Sequence, residues 1–143
     1  MSSTELPMVA EAVIASIKPG ILGDEAVQIL RSLFPDTLIL AALDLVDRDS
    51  VIKYTAPWGR SHYEVLGSTA TYVVFPRLSS SPTPVTSTYC TCPAFTYAVL
   101  ISDSHLMCKH VLATRLAEQM TRCLTRPISK DDLASIIVRQ NLG

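Results

Sequence analysis

The side chains that could do chemistry together are three cysteines and a histidine in the second half of the chain. Cys90 and Cys92 form a C-x-C pair, and Cys108 and His110 form a C-x-H pair after fifteen intervening residues. Three thiolates and one imidazole are a ligand set that zinc takes in closed structural sites. A tetrahedral zinc with Zn–S bonds of about 2.3 Å holds its sulfur ligands roughly 3.8 Å apart, so the two pairs must converge. The pattern predicts one structural Zn²⁺ ion bound by these four residues.

The spacing within each pair predicts its local structure. Residues i and i+2 of a strand project to the same side, so Cys90 and Cys92 can share an ion once Pro93 turns the chain. In a regular helix, residues i and i+2 lie about 200° apart around the axis and cannot share one. We therefore expect Cys108 just before a helix and His110 in its first turn.

The other cysteine and histidines are expected to have structural roles and not to bind the metal. Cys123 is the alternative fourth ligand, thirteen residues after His110, but a buried or partly buried thiol is favoured. His62 is expected to be a half-exposed strand residue and His105 a surface or capping residue.

Four protein ligands leave no open position for a catalytic water, and the phosphate-loop, dinucleotide, H-E-x-x-H and G-x-S-x-G motifs are missing. We therefore expect that the protein is not an enzyme.

The composition narrows the class of protein. The 143 residues are enough for one domain, and charged residues make up 17% of them, below the roughly 25% typical of soluble domains. No apolar run is long enough for a transmembrane helix, and the first residues lack the features of a secretory signal. Four cysteines without such a signal favour thiols or metal ligands over disulfides, and we expect no membrane contact.

Charge is distributed unevenly along the chain. Residues 1–50 carry three basic and eight acidic residues, a net charge of −5, whereas residues 51–130 carry eight basic and three acidic residues, a net charge of +5. The formal net charge of −1 therefore hides an acidic front and a basic centre. The shortage of charges also favours a surface that a partner covers.

The hydrophobic pattern predicts an α+β fold in one compact domain. Residues 1–50 form a helical region, with helices at about 8–18, from Asp24 as N-cap to Pro35, and from Asp36 to Val46. Residues 51–89 form a small antiparallel sheet, with strands at 51–55, 62–66, 70–75 and 85–89 and a Ser/Pro-rich loop at 76–84.

The rest of the chain is predicted to hold the zinc site and to return to helix. Residues 90–122 contain the four ligands, a short apolar segment at 94–100 and a longer helix through Val111 and Leu116. Residues 123–143 form a C-terminal helix that begins after Pro127, where Ser129 and Asp132 have the spacing of a capping box.

The ligand pattern, CTCPAF at residues 90–95 and LMCKHVLA at 106–113, resembles the SWIM-type zinc finger. The segments LDLVDR at 43–48 and YEVLGS at 63–68 extend the resemblance to the small single-domain SWIM proteins of the Shu complex, over roughly residues 37–120. This resemblance implies a nuclear protein of homologous-recombination DNA repair. It would pair with a RecA-like recombinase paralogue and promote the assembly or stability of recombinase filaments on single-stranded DNA.

Two further functions stay open: an autonomous DNA-binding zinc finger, and a substrate-recognition module of a larger assembly. Single-strand binders combine a basic groove with aromatic faces, although scattered basic residues are more often solvated surface. The partner-binding face is expected on the helix at residues 38–46, which could equally be core, or on the final helix around Ile136. The candidate DNA contacts are Lys53, Trp58, Arg60, Lys109, Arg115 and Arg122, with Tyr54 as an alternative stacking residue.

Overall fold

The helices and strands follow one another in an order that confirms the α+β class. The computed structural model describes residues 5–19, 22–55, 61–67, 69–75, 89–96, 99 and 106–127. The helices are α1 (Glu5–Ala15), α2 (Asp24–Arg31), α3 (Asp36–Asp47) and α4 (Lys109–Gln119). The strands are β1 (Val51–Thr55), β2 (Ser61–Leu66), β3 (Thr71–Phe75), β4 (Tyr89–Cys90) and β5 (Leu124–Pro127).

The three N-terminal helices lie close to their predicted positions. α1 begins at Glu5, earlier than its apolar spacing predicted. Gly23 is the N-cap of α2, so Asp24, which was expected to be the cap, is instead the first helical residue. In that position its carboxylate still interacts favourably with the positive end of the helix dipole.

Helices α3 and α4 end in the same way. Asp49 and Thr121 follow the two C-caps with positive φ angles of 54° and 58°. In each case the next residue donates its N–H to the carbonyl five residues earlier, at 3.0 Å after α3 and 2.8 Å after α4. This hydrogen bond belongs to the Schellman motif, which usually has glycine at the positive-φ position. The two helix ends are joined by an ion pair between Arg122 and Asp49, at 3.6 Å.

The five strands form one mixed sheet in the order β4-β3-β2-β1-β5. The pairs β1–β2, β2–β3 and β3–β4 are antiparallel, as the sequence predicted, but β5 pairs in parallel with β1 through Ile52 and Leu124. The sequence did not predict β5, because residues 123–143 were assigned to a C-terminal helix that begins only after Pro127. The predicted helix after Pro127 and the Ser/Pro-rich loop at 76–84 lie outside the described residues.

Helix α4 is central to the core because it contacts α3 and one face of the sheet. The strand residues in this core alternate along the chain, as the period of a strand requires; they are Val51, Tyr63, Val65, Val74 and Cys90. Ile52, His62, Glu64 and Val73 occupy the alternate positions and are less than 9% exposed as well. The central strands are therefore buried on both faces. No helix in the described part of the chain combines the length and apolar character needed to span a membrane.

Candidate metal centre

The end of β4 and the start of α4 bring the four predicted ligands together. One donor atom from each of Cys90, Cys92, Cys108 and His110 lies within 4.8 Å of the others. All four residues are buried, with exposures between 0% and 4%. Three sulfurs and one imidazole nitrogen at these separations fit one tetrahedral zinc ion, so the donor set and its convergence agree with the prediction.

The C-x-C pair is fixed to the sheet by the residue between the two cysteines. Thr91 donates its N–H to the carbonyl of Val73 at 3.1 Å, and the Val73 N–H donates to Thr91 Oγ1 at 3.0 Å. Cys92 directly precedes a helical turn at residues 93–96, and its Sγ accepts the N–H of Phe95 at 3.3 Å. Strand pairing thus sets the position of Cys90, and the turn sets that of Cys92.

The C-x-H pair lies at the start of α4, as its spacing predicted. Cys108 is the N-cap, and its Sγ accepts the N–H of Val111 at 3.5 Å. His110 is the second helical residue, and its carbonyl accepts the Thr114 hydroxyl at 2.8 Å. One sulfur of each pair therefore accepts an N–H at the start of a helical turn, where the N–H groups and the helix dipole stabilise a thiolate.

The imidazole of His110 is buried in the cluster and packs against an aromatic ring. Its Nδ1 is buried and has no hydrogen-bond partner among the described residues. The ring also lies close enough to Cys92 to help lower the pKa of that thiol. The ring of Tyr72 lies against the imidazole, with centroids 4.4 Å apart. A buried ring nitrogen without a partner fits a metal ligand, because a bound zinc ion would satisfy it.

The three thiols have different pKa values because they form hydrogen bonds with one another. Hydrogen bonds from Cys108 and Cys90 lower the pKa of Cys92, whereas hydrogen bonds to Cys108 and Cys92 raise the pKa of Cys90. The pKa of Cys108 is raised to about 12, because the hydrogen bond to Cys90, which lowers it, is outweighed by the one to Cys92 and by burial. Cys92 therefore ionises first. Binding of a divalent cation would displace the remaining protons, since metal ligation requires thiolates.

Comparisons with known proteins agree with this geometry. The family model for the SWIM zinc finger matches residues 72–116, which include most of β3, both ligand pairs and most of α4. Zinc finger SWIM domain-containing protein 7 of Homo sapiens is 33% identical over 141 residues, which cover 94% of each chain. The chain belongs to the family of zinc finger SWIM domain-containing protein 7.

Further relatives support this assignment. The Mus musculus protein of this family is 33% identical over 139 residues, covering 93% of this chain and 85% of its own. The Danio rerio protein is 38% identical over 102 residues, covering 71% of this chain and 66% of its own. No solved structure matches the chain. The centre is thus a SWIM zinc finger whose buried ligand cluster is compatible with one zinc ion.

The remaining cysteine lies apart from the SWIM finger. Cys123 follows α4, is half-buried, and is not part of the four-residue cluster. Burial, assisted by the carboxylate of Glu118, raises the pKa of Cys123 to about 11. Cys123 is therefore a protonated thiol at neutral pH. This agrees with the prediction of a buried or partly buried thiol.

The structure gives several of the candidate DNA contacts partners within the chain. Arg115 forms an ion pair with Glu11 of α1, and Arg122 pairs with Asp49. The Lys53 ammonium lies 5.9 Å from the centroid of the Tyr63 ring. Lys109 is exposed, and Trp58 and Arg60 lie outside the described residues. Contact of any of these residues with DNA stays a prediction.

Sequence reasoning was wrong about the exposure of His62 and missed two residues that support the finger. His62 is only 4% exposed, and its ring stacks on that of Tyr54 with centroids 5.2 Å apart. Thr91 was inconspicuous because its hydrogen bonds depend on its pairing with β3. Tyr72 was missed because nothing in the sequence places it beside His110. A polar residue between two metal-binding cysteines is the only sequence signal that could have found Thr91.

Proposed function

We propose that this chain is a non-enzymatic adaptor of homologous-recombination DNA repair in the nucleus. It pairs with a RecA-like recombinase paralogue and promotes the assembly or stability of recombinase filaments on single-stranded DNA. The observation that carries this proposal is the closed SWIM finger: the four donors that converge at the centre fill a tetrahedral shell. The recombination role itself rests on the resemblance to the SWIM proteins of the Shu complex.

The closed shell favours a structural metal. A catalytic zinc keeps one position for water or substrate, whereas Cys90, Cys92, Cys108 and His110 would occupy all four. Three thiolates also supply more negative charge than Zn²⁺ carries, which makes the ion a poor Lewis acid. When bound, the zinc would link the end of β4 to the start of α4. Its binding free energy would then be folding free energy for this part of the protein.

The surface and composition support a protein that acts with a partner. Met8, Ile29 and Leu40 on the N-terminal helices are 63%, 42% and 63% exposed. The chain contains no phosphate-binding loop motif, so any ATPase activity of the pair belongs to the recombinase paralogue. An adaptor of this kind would contact single-stranded DNA through the complex, because Arg115 and Arg122 are already paired with carboxylates.

Capture from a nuclear extract, followed by mass spectrometry, tests the adaptor role. The wild-type chain should recover a RecA-like paralogue, and co-expression with that paralogue should increase the soluble yield. Cys108→Ser should lose the partner, because it removes a zinc ligand. Cys123→Ser is the matched control and should retain the partner, since that thiol lies outside the cluster.

Other outcomes would overturn the proposal. Tight and strongly salt-dependent binding of single-stranded DNA by the purified chain alone would indicate an autonomous DNA-binding finger. Capture of a ubiquitin ligase or a transposase without a recombinase paralogue would indicate a substrate-recognition module. Exclusion of a fluorescent fusion of the chain from the nucleus would contradict the proposed location.

A further inference from the structure

The sheet has a second face, opposite to the face on which α4 packs. The strand register places four residues side by side on this second face, in a row across four neighbouring strands: Leu124, Ile52, Glu64 and Val73. The three inner residues of this row, Ile52, Glu64 and Val73, are only 4%, 8% and 1% exposed. Side chains stand roughly perpendicular to a sheet, so burial to this extent requires another layer of chain on top of them.

The described helices pack on the other side of the sheet. Helix α4 contacts strands β1 to β4, α3 packs against α4, and α1 contacts α2 and α4. Ile52 and Val73 are buried and yet do not belong to the hydrophobic core that these helices share with the sheet. Because these exposures belong to a single chain, a further segment of the same chain is needed to cover the second face.

Three stretches outside the described ranges are poor candidates for this layer. Val99, within residues 97–105, packs against the core on the α4 side of the sheet. The turn at 56–60 follows Thr55, which is three residues or about 10 Å along β1 from the buried row. Residues 76–88 join β3 to β4 and contain only two aliphatic residues besides proline, Leu78 and Val85. The other gaps before residue 128 are at most four residues long.

Residues 128–143 are the remaining candidate, and the fold brings them to the right place. They follow Pro127, the last residue of β5, directly in the sequence. Strand β5 lies beside β1, with Leu124 next to Ile52, so the segment starts at the edge of the second face. Leu124 is still 44% exposed, which leaves apolar surface at this edge for the segment to contact.

The sequence of this segment suits an apolar sheet face. Ser129 and Asp132 have the spacing of a capping box, which predicts a helix start. The aliphatic residues that follow have the i, i+3, i+4 spacing of one helix face: Leu133, Ile136 and Ile137. A helix of about twelve residues is about 18 Å long, whereas four strands spaced about 4.8 Å apart occupy about 14 Å. One such helix can therefore cross the whole buried row.

We infer that residues 128–143 form a helix that covers the second face of the sheet, with Leu133, Ile136 and Ile137 packed on Ile52 and Val73. The sheet then lies between α4 and this C-terminal helix. The carboxylate of Glu64 is tolerated under such a layer because the Tyr54 hydroxyl lies within interaction range of it.

The inference goes beyond the proposed adaptor role, and it holds whether or not that role is correct. The sequence left two partner-binding faces open, the helix at residues 38–46 and the final helix around Ile136. If the apolar side of the final helix is used within the chain, it is not available to a partner. The contact with a partner then belongs to the N-terminal helices, where Leu40 is 63% exposed.

NMR on the full zinc-loaded chain, with ¹³C-labelled methyl groups of Ile, Leu and Val, tests the position of the segment. Nuclear Overhauser effects arise only between protons in close contact. They should connect the methyl groups of Ile136 or its apolar neighbours to those of Ile52 or Val73. In a mixture of labelled and unlabelled chains, the same effects should remain within one chain.

A pair of matched substitutions tests the energetics. Ile136→Asp should raise the equilibrium constant for unfolding in urea at least about tenfold, because it places a carboxylate in an apolar contact. Val138→Asp is the control, since two residues along a helix lie about 200° apart and Val138 would face solvent. It should stay within about threefold of the wild type. If Ile136→Asp does not fold, Ile136→Ala should still give about a tenfold increase.

Four results would overturn the inference. The methyl signals could be assigned and show no contact with Ile52 or Val73, or show contacts only between chains, which would make a second copy the cover. Ile136→Asp and Val138→Asp could change stability equally. Ile136→Asp could leave stability unchanged and abolish capture of a recombinase paralogue, which would make this side the partner-binding face. The adaptor proposal fails separately, when the wild-type chain captures no recombinase paralogue, so the two failures are distinguishable.

Discussion

The ring of Tyr72 lies against the imidazole of His110, with centroids 4.4 Å apart and planes inclined by 38°. Tyr72 is on β3, where it pairs with Val65 of β2, whereas His110 is in the first turn of α4. The contact joins the sheet directly to a metal ligand. The position of the imidazole therefore depends on the sheet as well as on α4.

Replacing Tyr72 with Leu should loosen the metal centre without abolishing it. An aromatic pair of this geometry contributes roughly 1 kcal/mol beyond its buried area. We expect a loss of about that amount in the free energy of unfolding in urea, with faster transfer of zinc to a chromogenic chelator. Tyr72→Phe retains the ring and should behave like the wild type. Equal rates of zinc transfer from Tyr72→Leu and the wild type would show that the ring does not restrain His110.

Removing one ligand sulfur should remove the ion. Cys108→Ser is expected to purify without zinc, because serine is a poor zinc ligand and its loss opens the tetrahedral shell. The amides of α4 should then lose protection from hydrogen exchange, since zinc binding contributes to folding. Cys123→Ser should retain one zinc per chain by elemental analysis. Retention of stoichiometric zinc by Cys108→Ser would mean that the ligand assignment is wrong.

The ligands and most of the elements could be predicted because their signals are local. The spacing of Cys90 and Cys92 requires an extended segment, and that of Cys108 and His110 requires a helix start, whatever the rest of the fold does. Likewise, the acidic first turn of α2 and its apolar periodicity predict that helix from a few neighbouring residues.

The features that escaped prediction depend on tertiary contacts. Strand β5 has four residues, one of them Pro127, and forms only because the chain returns from α4 alongside β1. The burial of His62 follows from its position in a strand buried on both faces, which period-2 alternation alone does not reveal. The contact between Tyr72 and His110 needs β3 and α4 to be packed together first.

Thr121 offers a test of backbone strain. This β-branched residue has a φ angle of 58°, in a region where a Cβ is unfavourable by about 1 kcal/mol or more. Thr121→Gly should therefore stabilise the protein by up to about 1 kcal/mol, measured by urea unfolding, after part of the gain is lost to the greater freedom of glycine in the unfolded chain. Thr121→Ala retains the Cβ and should give no comparable gain. Destabilisation by glycine would show that the threonine side chain contributes contacts that outweigh the strain.

His62 should make stability depend on pH. Burial lowers the pKa of His62, and the nearby carboxylate of Glu64 only partly opposes this shift. Between that lowered pKa and the unfolded value of about 6.5, the unfolded chain binds a proton that the folded chain does not. Stability is therefore fully present above about pH 6.5 and falls as the pH decreases through this window.

The substitution His62→Gln removes this titration and should flatten the fall in stability between about pH 6.5 and pH 5. Urea unfolding at each pH measures the effect, and zinc content is followed in parallel because acid also protonates the metal ligands. An equal slope for the wild type and His62→Gln, with zinc still bound, would assign the pH dependence to other groups.

The ion pair between Arg115 and Glu11 should stabilise the docking of α1 on α4. Both side chains are 18% exposed, so removing either one leaves the other charge poorly solvated. A double-mutant cycle with Glu11→Gln and Arg115→Gln should give a coupling free energy of about 1 kcal/mol or more. The pair Asp44 and Arg48, with exposures of 54% and 71%, is the matched control and should give about 0.3–0.5 kcal/mol. If the two cycles gave equal coupling, Arg115 would have no special structural role. A contact between its guanidinium and DNA would then be the better explanation for its position.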